Sequence, residues 1–176
     1  MGVAATLQHY LTNEAIHFRL VKHPYSEGSY NTAHVANIPL KSLAKAVLFR
    51  DEDFNYTLAV VPACNKVLRY TFNQIFDRHM ELASEEELDI LFSDCIVGAV
   101  PPVGKAYNLN VIWDEELAES DIIWIEAGDH EHLIELDSAN FRTLMDDAMH
   151  DHFSSDQRYR RPPKLPREAY QFGPEL

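Results

Sequence analysis

The chain is 176 residues long, 46% hydrophobic, and carries a formal net charge of −13. That suggests one domain with a sizeable core and excludes a largely disordered chain. No apolar run approaches the roughly 20 residues of a membrane span, and so acidic a balance argues against a broad nucleic-acid-binding surface.

The first ten residues lack a charged segment ahead of a long apolar one, so no secretory signal is expected; "MGVAAT" fits the short, loose myristoylation pattern. "AATLQHYLTN" has helical spacing at Leu7, Tyr10 and Leu11. "IHFRLVKH" alternates like a strand, "PYSEGSYN" reads as a loop with turn chemistry, and "TAHVANI" as a short helix ended by Pro39. "LAKAVLFR" and "YTLAVVPA" are apolar strands joined by the polar turn "DEDFN", a hairpin. "NKVLRYTFNQIFDRHM" is expected to be one helix with Val67, Leu68, Phe72 and Ile75 or Phe76 inward. "SEEELDILF" opens with Ser84 and has Glu87 three residues on, a capping box. After the segment "DCIVGAVPPVG", the runs "NLNVIWD", "DIIWIEAG" and "HLIEL" read as strands. "DSANFRTLMDDAMHDHF" reads as a final helix capped by Asp137 or Ser138.

About six strands and five helices in mixed order imply a mixed α/β, α+β-like chain with one sheet and no repeats. Residues 1–153 form the expected domain, and 154–176 an extended Pro/Arg-rich tail. The stretch Arg158–Arg167 holds five of the fifteen basic residues, leaving ten basic and 28 acidic side chains elsewhere, a balance of −18. Any contact with RNA must therefore be local. Two cysteines, Cys64 and Cys95, supply neither a disulfide framework nor a metal quartet and suit a reducing cytoplasm.

Three features could carry chemistry. Lys45 lies in a strand apolar on both faces, sharing one face with Val47 and Phe49. Such a strand is usually central, and an ammonium there is costly unless paired or set in a cleft. It is either a strand-end lysine reaching water or a cation at a pocket mouth, able to hold a carbonyl, carboxylate or phosphate. The segment Asp94–Gly104, with Gly98, Pro101, Pro102 and Gly104, is either a rigid connection or a stiff wall whose N–H groups face a developing negative charge. His130, His132 and His150 invite a metal reading, although short acidic-histidine runs are usually solvated. No G-x-S-x-G elbow or phosphate loop occurs, and Cys95 reads as a buried thiol before a nucleophile.

"HPYS", "LAKAVLF", "LAVVPA", "LASEEELDILFSDCIVGAVPPVG" and "IWIEAGDHEHLIEL" occur in this order. Together they resemble the YbaK-type aminoacyl-tRNA deacylase family, also called the prolyl-tRNA synthetase associated editing domain, over about Ile16 to Leu144. The run E-x-E-L-x-x-L-F-x-D-C-x-x-G-A-x-P-P-x-G is long and specific. The resemblance implies a compact domain with one curved mixed sheet of about six or seven strands flanked by helices. It also implies hydrolysis of the ester joining a wrong amino acid to its tRNA, with no metal or organic cofactor. The family's lysine falls on Lys45, its loop on Gly98, Pro101 and Gly104, and its histidine on His130. The expected catalytic groups are Lys45, Gly98, Ala99 and His130, with N–H groups near Gly98 and Ala99 as oxyanion donors and His130 or a ribose hydroxyl orienting water. His23, Ala46, Pro101, Pro102, Gly104 and Gly128 are expected to line the substrate.

In members that edit alanine on proline tRNA an asparagine commonly follows the lysine; Ala46 stands here, which weighs against that substrate. The implied partners are the acceptor end of a mischarged tRNA and an aminoacyl-tRNA synthetase. A non-catalytic module on the same fold, binding tRNA or an aminoacyl nucleotide, is the competing reading, and a hydrolase using a metal on His130, His132 or His150 a third.

Overall fold

A computed structural model of the chain describes residues 2–156. Helix α1 (Ala5–Asn13) buries Leu7 and Leu11, one helical turn apart. Strand β1 (Arg19–Lys22) follows, then α2 (Ser29–Val35), which begins three residues earlier than its sequence signal because Gly28 turns the chain at φ 77°. Strands β2 (Leu43–Arg50) and β3 (Tyr56–Pro62) form the expected hairpin. Asp51 fastens the turn, its Oδ1 accepting from the N–H groups of Asp53 and Asn55, both at 2.9 Å.

The stretch 65–80 is not one helix. It divides into β4 (Asn65–Val67) and α3 (Arg69–Phe76), with β5 (Glu81–Leu82) beyond. The buried Asn65 amide donates to Glu116 Oε2 and Ser154 Oγ, and this tertiary anchoring overrides the helical spacing. Helix α4 (Glu85–Leu91) carries the expected capping box of Ser84 and Glu87. Strands β6 (Asn110–Asp114), β7 (Ile122–Glu126) and β8 (His132–Asp137) come next, then α5 (Ser138–Leu144) with Asp137 as its cap. That helix stops well short of Phe153. Asp147 turns left-handed at φ 61°, and the chain continues as β9 (Met149–Asp151) and β10 (Ser154–Asp156). Thus Ser154–Asp156, expected to begin the tail, are paired antiparallel with β4; the tail arginines lie outside the described residues.

The main sheet has eight strands, in the order β1-β8-β7-β2-β3-β6-β9, with β5 on β2. Pairing is mixed: β2 is antiparallel to β3 and parallel to β7, while β3–β6 and β6–β9 are parallel. One face carries the main core, including Leu7, Leu11, Ala44, Leu48, Ile123 and Phe141. The other carries two smaller clusters, Phe49, Phe72, Met80 and Phe153 at one end and Ala33, Leu43 and Leu133 at the other. Lys45 and Val47 lie on that second face, by strand alternation, between the two clusters.

Candidate functional site

Strand β2 has a break in one of its two edges. The ladder with β7 pairs Leu43 with Trp124 and Ala44 with Ile125, then stops; the ladder with β5 pairs Phe49 with Leu82 and Arg50 with Glu81. Residues 45–48 have a strand neighbour only on the β3 side. The Leu48 carbonyl accepts from Ala83 N–H towards β5, whereas that of Leu43 accepts from Ala63 N–H towards β3. Alternation therefore turns the main-chain groups of Ala46 towards the break.

A cavity of about 250 Å³ occupies this break, lined by Lys45, Ala46, Leu88, Gly98, Val100 and Glu126 among others. It is smaller than the roughly 300–1,000 Å³ typical of pockets for drug-sized molecules. A hollow of about 580 Å³ near the β2–β3 turn is larger, but none of the expected residues lines it and its Arg78 is already paired with Asp51 and Asp53.

Lys45 and Gly98 thus share one cavity. The Lys45 ammonium donates to the carbonyls of Ala63 and Asn65, which leaves one of its three donors for a ligand. Burial pulls its pKa below the ordinary lysine value. A smaller cavity adjoins the first, sharing Lys45, Val47 and Leu82, and adds Lys66 and Arg69 to its rim.

Residues 96–99 form a tight turn in which Ala99 N–H donates to Ile96 carbonyl at 2.9 Å and Gly98 takes φ 84°. The fully buried Ala99 has therefore spent its N–H on the turn, whereas the Gly98 N–H has no acceptor among the described residues. His130 does not line the cavity. It is buried, its backbone is left-handed at φ 61°, and its Nε2–H donates to Val97 carbonyl at 2.8 Å. A trans peptide points its C=O and N–H in opposite directions, so His130, by holding the carbonyl of the 97–98 peptide, aims the Gly98 N–H away from itself.

The remaining expected residues are structural in their contacts. His23 is buried, its Nδ1–H donating to Pro24 carbonyl at 2.8 Å. Pro101 and Pro102 are buried, and a Cβ on Gly104 would meet Val111 Cγ2 at 2.6 Å. Gly128, at φ 113°, packs on Ala4 and Cys95, and its carbonyl receives Ile96 N–H. Cys95 packs against the main core with its sulfur 3.4 Å from Tyr107 Oη, and burial pushes its thiol up to about 11, which disfavours the thiolate a nucleophile needs. His132 is bound to Asp129 and His150 to Glu115; no group of three possible metal ligands comes together among the described residues.

One wall residue had escaped the sequence reading. Glu126 ends β7, its Oε2 is buried without a hydrogen-bond partner, and burial pushes its carboxyl up to about 7, against smaller opposing effects of His130 and Thr32. The alternation of "IIWIE" puts it on the Trp124 face, and its position beside a glycine turn was the available signal.

Residues 23–144 match a family described as the aminoacyl-tRNA editing domain. No curated protein matches the chain. Among solved structures it is similar to a proposed trans-editing enzyme for prolyl tRNA synthetase, at 21% identity and TM-score 0.75 over 86% of this chain and 96% of that one. The hypothetical protein APE2540 is similar at 17% identity and TM-score 0.75, over 85% of this chain and 99% of that one. A scaffold protein from a study of epitope backbone grafting is similar at 19% identity and TM-score 0.76, over 86% and 97%. At these identities the likeness of the structures establishes the fold.

Proposed function

The chain belongs to the aminoacyl-tRNA editing domain family, and from that premise we propose that it is a trans-editing deacylase that hydrolyses the ester of mischarged tRNA. The observation that carries this reading is the cavity in the edge of β2, where Lys45 and the Gly98 turn meet. An aminoacyl ester is already activated, so positioning and charge stabilisation suffice to speed its hydrolysis.

In this reading the acyl group enters the break beside β2, and its carbonyl oxygen lies against Gly98 N–H and the spare donor of Lys45. Water adds to the carbonyl carbon, and the negative charge that develops on oxygen is met by these donors. The C–O bond to the ribose then breaks. The proton lost by water ends on the ribose oxygen, relayed by the neighbouring hydroxyl, and the free amino acid leaves. His130 acts as a positioning residue, since it fixes the peptide that carries the Gly98 N–H. Ala99, with its N–H closed into the turn, contributes shape alone.

The cavity's modest size supports a small amino acid as the acyl group. One methylene in an apolar pocket gives a synthetase only about 10–200-fold discrimination, which is the error a second sieve clears. Lys66 and Arg69, on the adjoining rim, are suited to the phosphates of the unpaired acceptor end. The partners of this reading are thus mischarged tRNA and, through it, a synthetase; its home is the cytoplasm. No described helix is long and apolar enough to cross a membrane.

Lys45→Ala tests the proposal against a panel of tRNAs charged with small non-cognate amino acids. Loss of a preorganised donor to the oxyanion costs about 10²–10³ in turnover. Hydrolysis by the variant at the wild-type rate removes Lys45 from the reaction, and no hydrolysis by the wild type overturns the deacylase reading.

A further inference from the structure

Lys45 and Glu126 stand at the same rung. The parallel ladder of β2 and β7 runs through Leu43–Trp124 and Ala44–Ile125, and the next residues in line are Lys45 and Glu126. They share a face, because Leu43 and Trp124 belong to one cluster on that side of the sheet. At this rung the strands part, and the two charges part with them. The ammonium goes to the carbonyls of Ala63 and Asn65 towards β3, while the carboxyl lies on the side of Thr32 of α2. No hydrogen bond or ion pair joins Lys45 to Glu126. The cavity between them is thus lined by one basic and one acidic side chain that are not paired with each other.

A buried carboxyl with an orphaned oxygen is costly to the fold unless something else completes it. The nearby Thr32 hydroxyl is already paired with Ser26 Oγ at 3.0 Å. No hydrogen-bond partner among the described residues reaches Glu126 Oε2. An aminoacyl ester brings a cation of its own, the α-ammonium, one carbon from the ester carbonyl. Seated in a small apolar cavity that ammonium needs a carboxylate, and Glu126 is the only one on the wall.

We propose that Glu126 receives the α-ammonium of the substrate, making it a specificity-determining residue that admits free aminoacyl esters and rejects acyl groups whose amine is blocked or replaced. This rests on the deacylase reading for its substrate class, and it makes the cavity bipolar: the carbonyl end of the substrate lies towards Lys45 and Gly98, the amino end towards Glu126. A general base at Glu126 is the competing role, and the two separate cleanly by experiment.

The probes are 3′-alanylamino-3′-deoxyadenosine and its seryl counterpart, non-hydrolysable amides of the charged tRNA terminus, against the same molecules with a hydroxyl in place of the amine. Binding to the full chain is measured by NMR titration for wild type, Glu126→Gln and Glu126→Asp, beside hydrolysis of alanyl-, seryl- and lactyl-tRNA. The expected result is a preference of about 10–100-fold for the amine, the size of a hydrogen bond to a charged group. In Glu126→Gln it falls within about threefold through weaker binding of the amine alone, and Glu126→Asp restores part of it. A preference that survives Glu126→Gln, or its absence in the wild type, overturns the proposal. So does an equal loss in hydrolysis of alanyl- and lactyl-tRNA with binding unchanged, which assigns Glu126 to the base. Amine preference without turnover keeps the proposal and removes the deacylase; turnover without amine preference does the reverse. Failure of every probe to bind overturns both.

Discussion

Two buried carboxylates end strands that follow one another in the chain, and they are treated oppositely. Asp114, 1% exposed at the end of β6, is saturated: Oδ2 accepts from the N–H groups of Phe153 and Ser154 and from Ser154 Oγ at 2.7–3.0 Å, and Oδ1 from Glu116 N–H at 3.0 Å. Glu126, 9% exposed at the end of β7, keeps an oxygen with no partner. The first carboxylate ties β10 to the domain. The second lines the cavity beside β2 with that oxygen unmet. The difference teaches where to look for a ligand: native folds satisfy their buried polar groups almost everywhere, so an unmet one on a cavity wall marks a place to be completed from outside.

The contrast can be broken most severely at Asp114. Asp114→Ala strands four donors at once and is expected to cost about 3 kcal/mol or more. Urea denaturation measures it, and binding at the β2 break should survive in the folded fraction. Glu126→Gln should behave in the opposite sense. A carboxyl at about 7 in the fold, against 4.5 when unfolded, holds its proton more tightly in the native state. Its favourable contribution is complete below pH 4.5 and is lost as pH rises through 7. The stability of the variant relative to wild type should therefore improve by about 3 kcal/mol between pH 4.5 and 8. A flat difference across that range shows Glu126 to be as well solvated as a surface residue.

A finer version of the contrast lies inside the segment 94–104. Gly104→Ala drives a Cβ to 2.6 Å from Val111, an overpacking worth about 1–3 kcal/mol, and turnover per folded molecule should hold. At Gly98 an added Cβ meets only the His130 ring, at 3.6 Å, but φ is 84°. Gly98→Ala should cost about 1 kcal/mol of strain in stability and lose turnover by misaiming the 97–98 peptide. Equal effects at both glycines contradict a division of labour along the segment. The smallest effect is expected at the rim. Lys66→Ala with Arg69→Ala should lower the salt slope of tRNA affinity by about one to two, as expected for lost phosphate contacts.

The β2–β3 hairpin, the α4 capping box and strands β6 to β8 were legible because each writes its own local signal: an alternating run, a polar turn, a serine three residues before a glutamate. Strands β4, β5, β9 and β10 were not, since they exist through partners distant in sequence. Asn65 and Phe153 are the examples; the buried amide of one and the buried ring of the other fix an arrangement that no window of helical spacing reveals. Lys45 and the Gly98 loop could be chosen as site residues, yet the direction of a peptide N–H could not. That is why Ala99 and His130 were assigned direct roles whereas the fold gives one N–H to a turn and the other residue to bracing. Glu126 was hidden by its company, a single acid closing an apolar strand.

The gap in β2's edge is clamped by hydrogen-bonded ladders above and below it, and this gives it a fixed aperture. Four residues between two clamps span about 13 Å, and neither end can slide without dismantling β7 or β5. Such an opening works as a gauge rather than a mouth: it cannot stretch for a bulkier guest. Any retuning of what passes must come from exchanging the side chains that furnish it, position 46 foremost.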